Sequence, residues 1–404
     1  MKKLLFLFFI FILPLNVLAL TYPKLHYQSA LVYDMTDEKY LYSLAPEEKR
    51  SIASLTKVMT TITALENVNN LDEKVTITSE MLSLVRWDAS IAGLKVGDEV
   101  TYRDLLYASI LPSGADATIS LGILTSGSID NFVTKMNELA KKIGMTNSHF
   151  VNVHGLDEEG HYSTAEDIKK LLQYALKNPT FKEIYTTKKY TLTNGLAVKS
   201  TVQKVTDVTS IDTSRIIGSK TGFTLNAGQC ISAIFLSNQH EILLITLGAT
   251  KEGNQSFHVT DALELIDFID ENYANQTIIF KNQDIKKIKV NLSTVDHFII
   301  KNSQELSLYL PKDYDKDDIK IEYDGLKELS YKNKLNEEIG TITYYYQDSI
   351  LAEEKVVLNI EIEPDYLKII GQYKIPIITI FFIIVIIVIL LIISLKGKKR
   401  NSKK

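Results

Sequence analysis

Two groups of strand-like segments lie about 170 residues apart in this 404-residue chain, with mainly helical periodicity between them. The first group is 29–33 (SALVY), which reads as a buried strand, and 39–44, joined to it by the turn-forming Asp34-Met35-Thr36-Asp37. The second is 215–219, 229–237 and 241–249. Strands at both ends with helices between them predict one antiparallel sheet assembled from distant parts of the chain, an α+β fold. The first helix starts at Ser54 and carries Leu55, Val58, Met59, Ile62 and Leu65 at spacings of three and four. Further helices are expected at 102–110, 115–124, 129–143, 164–176 and 259–273.

The character changes after this region, so residues 20–275 are expected to form one domain and 276–366 a second. Short alternating segments at 287–292, 297–300, 306–310, 319–323 and 339–346 predict that the second is small and all-β. It brings no cluster of chemically active groups and reads as a stalk or platform. Residues 367–374 form a linker. The next 21 residues, 375–395, contain no charge and are long enough as a helix to cross a bilayer. Six of the nine residues at 396–404 are basic, which predicts a cytoplasmic tail. At the other end, 1–19 reads as a secretory signal: Lys2-Lys3, an apolar run, then Val17-Leu18-Ala19. The expectation is a single-pass membrane protein with its domains outside the cytoplasm.

Lys+Arg 45 against Asp+Glu 49 leaves a net charge of −4, with no basic footprint for nucleic acid. The one cysteine, Cys230, excludes an intramolecular disulfide and sits in an apolar run, where it reads as a core residue. Stability must then rest on an apolar core.

Three short elements carry chemistry. In Ser54-Leu55-Thr56-Lys57 the serine and lysine lie three apart and share a helical face. A serine hydroxyl needs an adjacent base to become a nucleophile, and a buried lysine amine can be that base. Without such burial the same residues are a serine near a helix start and a lysine reaching solvent. Lys220-Thr221-Gly222 offers positive charge, a hydroxyl and close backbone approach, and the N–H of Phe223 follows it, suited to an oxyanion. An ordinary strand end fits equally. Ser113, in Pro112-Ser113-Gly114-Ala115-Asp116-Ala117, is a helix cap or a hydroxyl facing a cleft.

Taken in order, Ser-x-x-Lys, a Ser-led loop and Lys-Thr-Gly resemble the set found in penicillin-recognising serine enzymes. The surroundings sharpen the match: 51–60, 112–117, His149-Phe-Val-Asn152-Val-His154-Gly-Leu-Asp157, His161-Tyr-Ser-Thr-Ala165 and 218–224. Together they resemble the serine-type D-alanyl-D-alanine carboxypeptidases among the low-molecular-mass penicillin-binding proteins, over roughly residues 25–275. The resemblance implies removal of terminal D-alanine from peptidoglycan stem pentapeptides, inhibition by β-lactams, and no cofactor or metal. It implies Ser54 as the acylated nucleophile, Lys57 as its base and Ser113 as a proton relay. Lys220 and Thr221 would bind the substrate carboxylate, Gly222 would allow its approach, and the N–H groups of Ser54 and Phe223 would form the oxyanion hole.

One position departs from the family pattern: Ala115 stands where the family's middle motif has asparagine. That asparagine binds the catalytic lysine and the substrate carbonyl, and alanine can do neither. The alternative reading is therefore a weakly catalytic binder of wall peptides. A rival chemistry would use His149, His154 and His161, with Asp157 and Glu158, as ligands of a catalytic zinc.

Overall fold

The computed structural model describes residues 22–346 and 349–401. The expected signal at 1–19 lies outside the described residues. The chain divides into two compact units, Met1–Ala274 and Asn275–Lys404.

In the first unit, strands β1 (Ser29–Asp34), β2 (Lys39–Leu44), β3 (Gly218–Thr224), β4 (Gly228–Ser237) and β5 (His240–Ala249) form one antiparallel sheet in the order β2-β1-β5-β4-β3. The pairing of β1 with β5, with Leu31 opposite Ile245 and Tyr33 opposite Leu243, joins the two distant groups. The apolar residues of β1, β4 and β5 are buried almost without interruption, because helices cover the sheet. Among these helices, α5 (Ala165–Ala175) packs on β1 and β5, and α7 (Phe257–Asn272) on β4 and β5.

At the centre of the helical layer is α1 (Thr56–Asn67), which touches α2 (Tyr102–Ile110), α3 (Ala115–Ser126), α4 (Ile129–Lys142) and α5. Every residue of α1 from Thr56 to Ala64 is buried, polar ones included. Its threonines find partners inside the protein: Thr60 donates to the Val153 carbonyl at 2.7 Å, and Thr61 lies 3.2 Å from the Ser109 hydroxyl.

The edge strand differs from its expected span of 215–219. Arg215 turns away to Asp267 and Asp270 of α7, pairing begins with Ile217 N–H to the Ile234 carbonyl, and the strand runs Gly218–Thr224. Lys220-Thr221-Gly222 is thereby inside β3. Three helices were not expected: Ser79–Ser83, Pro179–Thr186 and, last of them, α6 (Thr201–Thr209). The latter buries only Val202 and is announced by a cap, Ser200, rather than by apolar periodicity.

The second unit holds two three-stranded sheets, one of Asp284–Asn291, His297–Lys301 and Glu328–Ser330, the other of Ile319–Gly325, Glu338–Tyr346 and Ser349–Val357. Ile288, Ile300, Leu329, Ile342 and Tyr344 are in its core. The last helix, α8, is Tyr366–Asn401. Here the transmembrane expectation for 375–395 is corrected: among the described residues, no helix is long and apolar enough to cross a membrane.

Candidate active site

The site forms where β3 passes the start of α1. Ahead of α1 the chain makes one tight turn, Ala53–Leu55, entered through Ala53 at φ 47°. A non-glycine residue rarely adopts this left-handed conformation, and it persists only where its surroundings enforce it. Ser54 sits on this turn, and one turn later Lys57 Nζ lies 2.9 Å from Ser54 Oγ and donates to the His154 carbonyl at 2.7 Å. Lys57 is 2% exposed. Burial holds its ammonium down to about 7, against the opposing influence of the Asp116 charge. An amine so placed is present as free base in substantial fraction at neutral pH, as activation of a serine requires.

A second serine–lysine pair faces the first. Lys220 Nζ donates to Ser113 Oγ at 3.0 Å and to the Thr221 carbonyl at 2.6 Å. Ser113 also has a positive φ, 65°, which is how its loop turns the hydroxyl toward β3 before α3 begins. Burial, then the charges of Lys57 and Lys204, hold Lys220 well below the ordinary lysine range. Thr221 donates its hydroxyl to Thr201 Oγ1 at 2.6 Å, at the first residue of α6. Phe223 is partly exposed, with Lys251 Nζ 4.3 Å from its ring centre.

All seven residues expected from the sequence fall in this one place: Ser54 with Lys57, Ser113 with Lys220, and Thr221, Gly222 and Phe223 along β3. Thr201, Lys204 and Lys251 are neighbours that no motif marks. The His154 carbonyl was equally invisible, because a backbone acceptor leaves no residue-type signature.

Ala115 is fully buried, and its N–H donates to the Ser90 carbonyl at 2.7 Å. Asp116 does not stand in for the missing amide. Its carboxylate accepts from the N–H groups of Ala92, Gly93, Leu94 and Ala117 at 2.8–3.0 Å, which clamps the 92–94 loop to α3. The three histidines are turned to separate partners. His149 Nδ1 lies 2.8 Å from the Gly160 carbonyl, His154 Nδ1 accepts from Leu156 N–H at 3.2 Å, and His161 Nε2 lies 2.7 Å from Thr56 Oγ1. Among the described residues, the ligand-type atoms that do converge belong to Asp34, Asp37 and His240. Cys230 is buried, and burial pushes its thiol up to about 11.

A serine beside a buried lysine, with a second hydroxyl–lysine pair across the cleft on an edge strand, defines a serine acyl-transfer enzyme. The chain belongs to the D-alanyl-D-alanine carboxypeptidase family, whose model matches residues 16–251. A model of the penicillin-binding protein 5 C-terminal domain matches residues 273–364. D-alanyl-D-alanine carboxypeptidase DacF of Bacillus subtilis is 28% identical over 340 residues, covering 81% of this chain and 84% of that protein. The Streptomyces K15 DD-transpeptidase structure superposes with a TM-score of 0.55 at 30% identity, covering 61% of this chain and 98% of that one. Penicillin-binding protein 5 from Haemophilus influenzae shares the fold, with a TM-score of 0.61 at 22% identity, covering 85% of this chain and 100% of that one.

Proposed function

We propose that this serine-type D-Ala-D-Ala carboxypeptidase acts on peptidoglycan stem pentapeptides through a Ser54 acyl-enzyme. Neutral Lys57 takes the Ser54 proton as Oγ attacks the carbonyl of the penultimate D-alanine. The N–H groups of Ser54 and Phe223 hold the oxyanion. As the peptide C–N bond breaks, a proton passes by way of Ser113 to the leaving nitrogen and D-alanine departs. Water, deprotonated by Lys57, then cleaves the ester and regenerates Ser54. Thr221 and Lys220 receive the terminal carboxylate, whose charge offsets the burial that holds Lys220 down. A β-lactam acylates the same oxygen, but its leaving nitrogen stays tethered and obstructs water.

The observation that carries this reading is the 2.9 Å approach of Lys57 Nζ to Ser54 Oγ in a setting that holds the lysine near neutrality. We place the catalytic unit outside the cytoplasmic membrane. The cross-linked substrate lies there, and the basic–apolar–small pattern of 1–19 is that of an export signal. The test is D-alanine release from a stem pentapeptide by the full chain, beside Ser54→Ala, with and without a chelator. Chelator-insensitive release that disappears in the variant is the expected result. Release that survives in Ser54→Ala overturns it.

A further inference from the structure

The reaction leaves unused the segment 149–163, which lies against the nucleophile turn at several points. It supplies the carbonyls that accept from Thr60 and Lys57, and its Gly155 packs on Ala53. Gly155 has φ 85°, and a Cβ there would overlap the Ala53 carbonyl oxygen.

Within this segment runs a directed chain of hydrogen bonds. Val151 N–H donates to His161 Nδ1 at 3.2 Å, so that nitrogen is the acceptor and the ring proton resides on Nε2. Nε2–H is then aimed at Thr56 Oγ1, 2.7 Å away. The single Thr56 proton goes on to the Ala53 carbonyl at 2.9 Å. Each donor has one acceptor, and burial keeps the imidazole neutral by holding its pKa down to about 4.

The Ala53 carbonyl and the Ser54 N–H belong to the same planar peptide. Fixing the oxygen therefore fixes the direction of the N–H. We infer that Thr56 and His161 are positioning residues that aim the Ser54 N–H at the developing oxyanion. The relay also holds Ala53 in its left-handed conformation, against which Gly155 is wedged. The inference rests on the proposed role of the Ser54 N–H. It assigns a function to a histidine that touches neither substrate nor reacting atoms.

The experiment compares Thr56→Val, Thr56→Ser, His161→Gln and the Thr56→Val/His161→Gln double variant in the full chain. It reads kcat, KM and melting temperature, with Ser54→Ala as reference. A misaimed oxyanion donor lowers kcat by about tenfold or more with KM nearly unchanged. Thr56→Val should show this loss, Thr56→Ser should retain activity, and the double variant should lose no more than the worse single one. If Thr56→Val does not fold, His161→Gln carries the test by the same criterion. Folded variants with wild-type kcat overturn the inference, as does equal loss in Thr56→Ser and Thr56→Val, which would trace the effect to packing rather than the hydroxyl. Activity in Ser54→Ala would instead overturn the acyl-enzyme reading itself.

Discussion

Gly222 passes so close to Ser54 that a Cβ on the glycine would lie 2.8 Å from the serine amide nitrogen and 2.9 Å from the Ala53 Cβ. The edge strand and the nucleophile turn are thus in backbone contact, and the neighbour that would have to yield is main chain. Gly222→Ala must push the Ser54 amide aside. Displacement of about 1 Å at a reacting group costs about a hundredfold in rate. Acylation by a chromogenic β-lactam should slow by that order while circular dichroism stays native. Wild-type acylation in this variant would show that β3 can withdraw without harm.

The Lys57 amine titrates between the folded value of about 7 and the ordinary value near 10.5. Since the base must be neutral to act, kcat/KM should rise with pH through an acid limb near 7. The effect on stability has a definite sign. Between these two values the unfolded chain binds the proton more fully than the folded one, so this group's contribution to stability grows as pH rises from about 7 toward about 10.5. Lys57→Met should lower kcat by roughly 10²–10⁴-fold. It should also flatten that part of the stability profile, read as melting temperature against pH.

Ala115 predicts an incompletely equipped site. Ala115→Asn puts back the amide that the family's middle motif carries and should raise kcat by about tenfold, within the few kcal/mol that a positioned donor supplies. Steady-state D-alanine release decides it. An unchanged, already high rate would show that the His154 carbonyl suffices to hold the lysine.

Thr221 gives its hydroxyl to Thr201 Oγ1 at 2.6 Å, so a substrate carboxylate must compete for that proton. Thr221→Val should lower kcat/KM about tenfold for a free terminal carboxylate, since a hydrogen bond to a charged group is worth about 1.5–3 kcal/mol. An amidated substrate should barely distinguish the two proteins. Equal loss on both substrates would place the role of Thr221 elsewhere.

The parts of the fold legible in the sequence were those where one residue type admits one environment. SALVY at 29–33 and the apolar runs of β4 and β5 read as strands because helices cover them. In the second unit the last strand, Ser349–Val357, escaped notice because Glu353 and Glu354 interrupt its apolar run. Helix α6 was missed because it buries so little. In the site, side-chain chemistry was visible through spacing: three residues for Ser54 and Lys57, three adjacent ones for 220–222. What stayed hidden depends on tertiary contact, namely the His154 carbonyl, the Thr201 hydroxyl and the left-handed turns at Ala53 and Ser113. The 375–395 segment was read as a membrane span from its composition alone, and among the described residues no helix is long and apolar enough to cross a membrane.

Within the sheet, β1 reaches β3, the strand that carries Lys220, only by way of β5 and β4. The nucleophile turn thus gains its partner strand only after sequence some 160 residues downstream has folded back. Pairings of such long range form late, because their loop-closure cost precedes any gain. A chain still being synthesised is therefore inert until nearly its whole first unit is assembled. In refolding, β-lactam reactivity should appear in one late step, after most helical signal has returned.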